Sequence, residues 1–211
     1  MKYSGFYTVG STYKPLEATL KKWIHLHRRY YNEMYWDGKA HDVSYWYGER
    51  TQLGIFASAV WMAGGVALEE YGDEKKHWDK RRRPKQGRVD LYLSVGKLEC
   101  IAEAKMHGLQ CRESHESRDL AASLSSWCFD AKWDVKRDPH QGRRVGLVFV
   151  APWFKRSRQG QLNLRKHVEL SLDAAKRMNP EFLAWHFDRE PFRDGSRYWP
   201  GIMVIGDALR R

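Results

Sequence analysis

Apolar residues recur at two different spacings along the chain. A repeat of three or four residues predicts helices over 15–35, 49–71, 118–136 and 161–178. Short runs rich in aliphatic and β-branched residues predict strands over 88–95, 98–105, 144–150, 182–187 and 202–206. Because helices and strands alternate, we expect an α/β fold with a mixed central sheet flanked by helices.

The second helix is the most apolar of these elements. It is expected to run from Glu49 to about Tyr71 and is apolar on nearly every side between Leu53 and Leu68, which predicts a centrally packed helix. The residues that follow, 73–86, are highly charged and predict an irregular connection or an edge strand.

The chain is expected to form a single compact domain overall. Residues 1–48 predict a helical and aromatic extension, in which Pro15 opens the first helix and an apolar stripe runs from Leu16 to His27. We expect this extension to pack on a core formed by residues 49–211.

Composition and charge narrow the class of partner. The 211 residues include 37 Lys and Arg against 26 Asp and Glu, a net charge of +11, which favours a polyanionic partner such as nucleic acid. Three cysteines without close pairing predict free thiols in a reducing compartment. The longest apolar run, 55–68, is too short to cross a bilayer, so we expect a cytoplasmic protein without a membrane segment.

Gly96 and Lys97 predict a two-residue hairpin turn between the strands 88–95 and 98–105. Such a turn fixes the register of the whole hairpin. One face then carries the apolar pairs Val95/Leu98, Leu93/Cys100, Leu91/Ala102 and Val89/Ala104. On the other face, Asp90 is predicted to lie directly opposite Glu103.

Two opposed carboxylates repel each other, so a positive charge is expected between them. Mg²⁺ is commonly held by one or two carboxylates together with water and phosphate oxygens. Lys105 projects from the same face as Glu103, and Glu49 begins the buried stripe of the second helix. The alternatives are a solvated strand face with a surface ion pair and, for Glu49, an acid that complements the helix dipole.

The order of these residues resembles the PD-(D/E)XK nuclease superfamily, the restriction-endonuclease-like fold, over residues 49–150. A helix that begins at Glu49 is followed by a strand with Asp90, a hairpin, and a strand with Glu103-Ala104-Lys105. A further helix and strand complete a pattern similar to the αβββαβ core of that family.

The resemblance implies a role for each residue of this group. Asp90, Glu103 and the backbone carbonyl of Ala104 would bind Mg²⁺ or Mn²⁺. Lys105 would orient or activate water and stabilise developing charge, and Glu49 would be an accessory acid.

The sequence also departs from the family pattern. Val89 stands where the named motif has Pro, and no Gln-x-x-x-Tyr follows Lys105, which argues against the recombination-type exonuclease branch. Glu69 and Glu70, at the far end of the second helix, are alternative accessory acids. The first strand of the core is expected within 73–86.

Basic clusters are candidate contacts to phosphates. They comprise Arg81, Arg82, Arg83, Lys85, Arg143, Arg144, Lys155, Arg156 and Arg158. His107, Cys111 and His115 recur every four residues and would form a Zn²⁺ site on a helix, but the turn-like residues around Gly108 favour a polar loop.

The sequence therefore predicts a metal-dependent nuclease that hydrolyses phosphodiester bonds, with DNA favoured over RNA and a homodimer compatible with cleavage of both strands. One alternative is a nuclease-fold protein that no longer cleaves and serves as a nucleic-acid-binding or protein-interaction module. Another is a basic interaction protein whose acidic patch is structural.

Overall fold

The computed structural model describes residues 3–36, 40–75, 85–136, 142–156 and 163–209. Its α-helices in these residues are α1 (Glu17–Glu33), α2 (Glu49–Met62), α3 (Ser117–Val135) and α4 (Leu164–Arg177). The strands are β1 (Ser4–Thr8), β2 (Tyr35–Trp36), β3 (Ala40–His41), β4 (Val66–Lys75), β5 (Lys85–Val95), β6 (Leu98–Gln110), β7 (Arg143–Lys155), β8 (Phe182–Asp194) and β9 (Arg197–Ala208). Short 3-10 helices, Lys14–Leu16 and Ser44–Trp46, precede α1 and α2.

Seven of the strands form one mixed sheet in the order β1-β8-β9-β7-β6-β5-β4. β6 and β7 are parallel, and the other neighbouring strands are antiparallel. The predicted α/β class with a mixed sheet and flanking helices is therefore confirmed. Along the chain, α2, β4, β5, β6, α3 and β7 follow one another in the expected αβββαβ order.

The sheet separates two apolar clusters. Trp23 of α1 and Phe56 of α2 pack with Leu91 of β5 on one face. Leu124 of α3 and Val168 of α4 pack on the opposite face. The first helix therefore shares its cluster with α2, and β1 pairs with β8 at one edge of the sheet.

The predicted helix over 49–71 is too long. Gly64 has a φ of +81°, and a Cβ at Gly65 would lie 2.6 Å from the carbonyl oxygen of Ser94, so this pair of glycines turns the chain tightly onto β5. The chain then continues as β4, with Val66 exposed and Ala67 buried. The first strand of the core is thus β4, which begins at Val66, before the predicted segment 73–86. Its last residues, 73–75, lie in that segment and form part of an edge strand, as predicted. Residues 76–84 lie outside the described residues.

Candidate active site

The β5–β6 hairpin has the predicted register near its turn and opens further along. Pairing runs from Val95/Leu98 to Leu91/Ala102. Beyond this point the Oδ2 atom of Asp90 accepts a 2.8 Å hydrogen bond from the backbone N–H of Ala104. The predicted direct pairing of Asp90 with Glu103 is therefore wrong.

Where the hairpin opens, Val89 of β5 points to the opposite side of the sheet from the one that the predicted register gives it. Val89 packs with Ile101 and Val135, on the α3 side of the sheet, whereas Ala104 belongs to the α2 side. The predicted apolar pair Val89/Ala104 is wrong for this reason. The reason is that the Ala104 N–H donates to the Asp90 side chain. If the pairing continued, this N–H would donate to a backbone carbonyl of β5 instead.

A second carboxylate lies at the same edge of β6. The backbone N–H of Met106 is close enough to Glu49 to lower the pKa of its carboxyl group. Since residues two apart on a strand direct their backbone groups to the same edge, the N–H groups of Ala104 and Met106 bring Asp90 and Glu49 to one edge of β6. The carbonyl oxygen of Ala104 points to this edge as well, because both polar groups of one residue in a strand face the same neighbour.

Helix α2 delivers Glu49 to this edge. Glu49 is the first residue of the helix, and Leu53, Phe56 and Val60 below it are buried, which confirms that Glu49 begins the buried stripe. Burial raises the pKa of Glu49 above its usual value, and the nearby charge of Asp90 raises it further, whereas Lys105 and the Met106 N–H lower it. The net shift upward makes this a carboxyl group whose ionisation is opposed by its surroundings.

Lys105 reaches the same group of charges from the α3 side. Its Nζ atom lies 3.0 Å from Oδ2 of Asp134, near the end of α3. Burial lowers the pKa of Lys105, but the hydrogen bond and charge of Asp134, together with Glu49 and Asp90, produce a net rise. Lys105 is therefore held as an ammonium ion.

Asp134 is a site residue that sequence reasoning missed. The one sequence signal for Asp134 is that it precedes Val135, the last buried residue of the predicted third helix, which would have predicted a position close to the sheet.

Glu103 lies on the same face of β6 as Lys105 and is 5% exposed. The oxygen atoms of Asp90, Glu103 and the Ala104 carbonyl are hard donors, which suit Mg²⁺ or Mn²⁺ better than softer metals. Within the described residues, no group of three or more His, Cys, Asp and Glu side chains is placed to hold a metal ion. A cation here would draw two carboxylates at most from this part of the chain and complete its shell with water and substrate.

The alternative accessory acids lie on β4 and not at a helix end. Glu70 has a φ of +48°, and its carboxylate forms ion pairs of 2.6 Å with both Arg50 and Arg88. Burial and the charge of Glu70 raise the pKa of Glu69. Because two guanidinium groups already bind Glu70, Glu49 is the better accessory acid.

The structure distributes the basic clusters widely. Arg81, Arg82, Arg83 and Arg158 lie outside the described residues, and Lys85 is the first residue of β5. Arg143 and Arg144 begin β7, whereas Lys155 and Arg156 lie at its other end, roughly 40 Å away along an extended strand. Lys105 is level with Val148 between them, so the basic residues at the two ends of β7 do not converge on the carboxylates.

The predicted polar loop at His107 and Gly108 is wrong, because both residues belong to β6. His107 stacks on Trp127 with 4.3 Å between the ring centroids, and Cys111 is buried. The other two cysteines, Cys100 and Cys128, are also buried, and all three are free thiols, as predicted.

A cavity of about 550 Å³ lies elsewhere, beneath α1. Ser4 Oγ lies 2.8 Å from Nδ1 of His186, whose Nε2 is 3.0 Å from Asp188, and Asp188 also accepts a hydrogen bond from Tyr45. His186 is only 4% exposed, so we assign this network to joining β1, β8 and the segment before α2, and not to chemistry.

Comparisons with protein-family models, curated proteins and solved structures found no match to this chain. In the described residues, no helix is both long enough and apolar enough to span a membrane.

Proposed function

We propose that this protein is a metal-dependent nuclease of the PD-(D/E)XK type that hydrolyses phosphodiester bonds in nucleic acid, with DNA as the favoured substrate. The observation that carries the proposal is the opened edge of β6, where the Ala104 N–H donates to Asp90 and Glu49 lies beside the Met106 N–H. A Lys105 ammonium group lies within electrostatic reach of both acids. Carboxylates that flank a fixed ammonium group are suited to a cation and a phosphate together.

Asp90, Glu103 and the Ala104 carbonyl would hold Mg²⁺ or Mn²⁺, which supplies Lewis-acid polarisation of the phosphate and a more acidic water. The hydrogen bond from Ala104 fixes one oxygen of Asp90 and so orients the carboxylate toward the gap between the strands. Glu49 contributes a second negative charge at this edge, beside the Met106 N–H.

Lys105 acts as a positive charge and not as a base. Its raised pKa keeps the amine protonated at neutral pH, so it has no lone pair with which to accept a proton from water. An ammonium group beside the scissile phosphate stabilises the negative charge that develops on the phosphoryl oxygens. Asp134 holds that group in place at 3.0 Å.

The alternative is a nuclease-fold protein that binds nucleic acid or another protein without cleaving. The Lys105–Asp134 ion pair favours it, since the ammonium group is already matched by a carboxylate. The absence of a metal cluster of three or more side chains, in the part of the chain that the structure describes, favours it too. The two functions differ in whether cleavage accompanies binding.

Incubation with plasmid, linear and single-stranded DNA and with RNA, in Mg²⁺, Mn²⁺ or EDTA, tests the proposal. We expect cleavage with either metal and none in EDTA. The matched variants are Asp90→Asn, within the site, and Glu99→Gln, on the same hairpin near its turn. Cleavage that persists in Asp90→Asn, or binding without cleavage in the wild type, would exclude the proposed mechanism.

A further inference from the structure

An aromatic surface borders the candidate active site. Trp46 lies 5.8 Å from Trp199 and 5.2 Å from Phe192, measured between ring centroids. Trp153 lies 6.0 Å from Trp199 and extends the row. Trp46 is 42% exposed, and Phe192, Trp199 and Trp153 are each partly exposed.

This surface is continuous with the opened edge of β6. A Cβ at Gly108 would lie 3.3 Å from the indole of Trp199 and 3.4 Å from that of Trp153. Gly108 follows Met106, whose N–H lies beside Glu49, by two residues, or about 7 Å along a strand. Trp46 closes the 3-10 helix just before Glu49, so the Trp46 end of the row lies nearest the site.

Cations flank the aromatic row at its far end. The guanidinium group of Arg197 lies over the Trp153 ring, 4.9 Å from its centroid. Lys155 is the cross-strand partner of Arg197, so both side chains emerge on one face of the β7–β9 pair. Arg197 also lies opposite Asp194, which leaves this end with a positive excess.

Aromatic rings interleaved with cations suit an unpaired nucleic-acid strand. Each base that stacks on a side chain strengthens binding by roughly 5- to 150-fold, whereas in a duplex both faces of a base are covered by its neighbours. The cations supply salt-dependent contacts to the backbone phosphates. A duplex would gain the phosphate contacts without the base stacking.

We infer that the substrate strand approaches the candidate active site unpaired, with bases stacked on the row formed by Trp46, Phe192, Trp199 and Trp153 and phosphates near Lys155 and Arg197. The inference rests on the proposed function for what happens at the site. It names the substrate as single-stranded nucleic acid or a single-stranded extension of a duplex.

The test is binding of a fluorescein-labelled 15-nucleotide single strand and of the matching duplex, by fluorescence anisotropy in EDTA. The variants are Trp46→Ala and Arg197→Ala. Their matched controls are Trp61→Ala, a 55% exposed tryptophan near the end of α2, and Lys97→Ala, in the hairpin turn. Trp46→Phe keeps a ring at the same position, and circular dichroism checks the fold of each variant.

We expect the wild type to bind the single strand at least tenfold more tightly than the duplex. Trp46→Ala and Arg197→Ala should each weaken single-strand binding about fivefold or more, Trp46→Phe should restore it, and the controls should change it less than twofold. Arg197→Ala should also reduce the slope of log affinity against log salt concentration by about 1, which corresponds to the loss of one phosphate contact. Trp46→Ala should leave this slope unchanged.

Equal affinity for both substrates, or unchanged binding by Trp46→Ala, would overturn the inference. So would losses of the same size in the Trp61→Ala and Lys97→Ala controls. EDTA prevents metal-dependent cleavage, so binding is measured separately from catalysis. If binding follows the predicted pattern but no cleavage occurs in Mg²⁺, the nuclease proposal is excluded and the strand path is not. Cleavage together with unchanged binding by the variants would sink only the proposed strand path.

Discussion

Asp90 accepts a hydrogen bond from the backbone N–H of Ala104 at 2.8 Å, where the pairing of two strands ends. This contact does two things at once. It gives the Ala104 N–H an acceptor where β5 no longer pairs with β6, and it orients the Asp90 carboxylate into the gap between the two strands. The divergence of the strands and the candidate active site are therefore one feature.

Replacement of Asp90 separates these two effects. In Asp90→Asn the amide oxygen still accepts from Ala104, so the melting temperature should stay within a few degrees of the wild type. In Asp90→Ala the partly buried N–H loses its acceptor, which should cost about 1–3 kcal/mol of the free energy of unfolding. Both variants should lose metal-dependent cleavage by roughly 100-fold or more. Equal stability of the two variants in urea unfolding would contradict the structural role.

Lys105 and Asp134 form an ion pair in which Lys105 stabilises charge in the reaction and Asp134 positions the Lys105 ammonium group. Lys105→Ala should reduce kcat by roughly 100-fold or more, and Lys105→Arg should retain part of the activity because it keeps the charge. Asp134→Asn should lower kcat about tenfold with little change in KM. Asp130→Asn, an exposed acid one turn earlier on α3, is the control and should be silent. If Lys105→Arg were as inactive as Lys105→Ala, positive charge would not be its contribution.

Glu49 makes stability depend on pH. Its pKa in the folded protein lies above the usual 4.5, so the folded state binds this proton more tightly than the unfolded state. The resulting stability is present below pH 4.5 and decreases as pH rises through the raised value. Glu49→Gln lacks this loss, so its melting temperature relative to the wild type should rise between pH 4 and pH 7. Parallel pH curves for the two proteins would show that Glu49 is not held in the way described.

His27 has the opposite dependence. Burial and the neighbouring His186 lower its pKa to about 3, while its Nδ1 lies 2.7 Å from Ser44 Oγ. Its contribution to stability is complete above the usual value of 6.5 and is lost as pH falls toward 3. His27→Gln should therefore flatten the acid side of the melting curve between pH 6 and pH 4. His25→Gln, at an exposed position on α1, should leave that side unchanged.

The parts of this fold that local rules govern were predictable from the sequence. The Gly96-Lys97 turn fixes the first cross-strand pairs, and the stripe that begins at Glu49 fixes the orientation of α2. The run that continues to Leu68 concealed the α2–β4 boundary, because an apolar run does not distinguish a buried helix from a strand.

Long-range pairing explains what the sequence left unpredicted. β6 pairs with β7, whose first residue Arg143 comes after the whole of α3, so the point at which β6 parts from β5 is not encoded near Asp90. Asp134 reaches Lys105 only because α3 packs back across the sheet. The aromatic row likewise unites Trp46 with Trp199 from opposite ends of the chain.

Single-turnover cleavage tests the central claim most directly. A 5′-labelled single-stranded DNA is incubated with excess wild-type protein or with excess Lys105→Ala, in Mg²⁺ and in EDTA, and the fold of both proteins is verified by circular dichroism. We predict cleavage by the wild type in Mg²⁺ alone, at a rate at least 100-fold above that of the variant. Equal rates for the two proteins, or no cleavage by the wild type in Mg²⁺, would contradict the account.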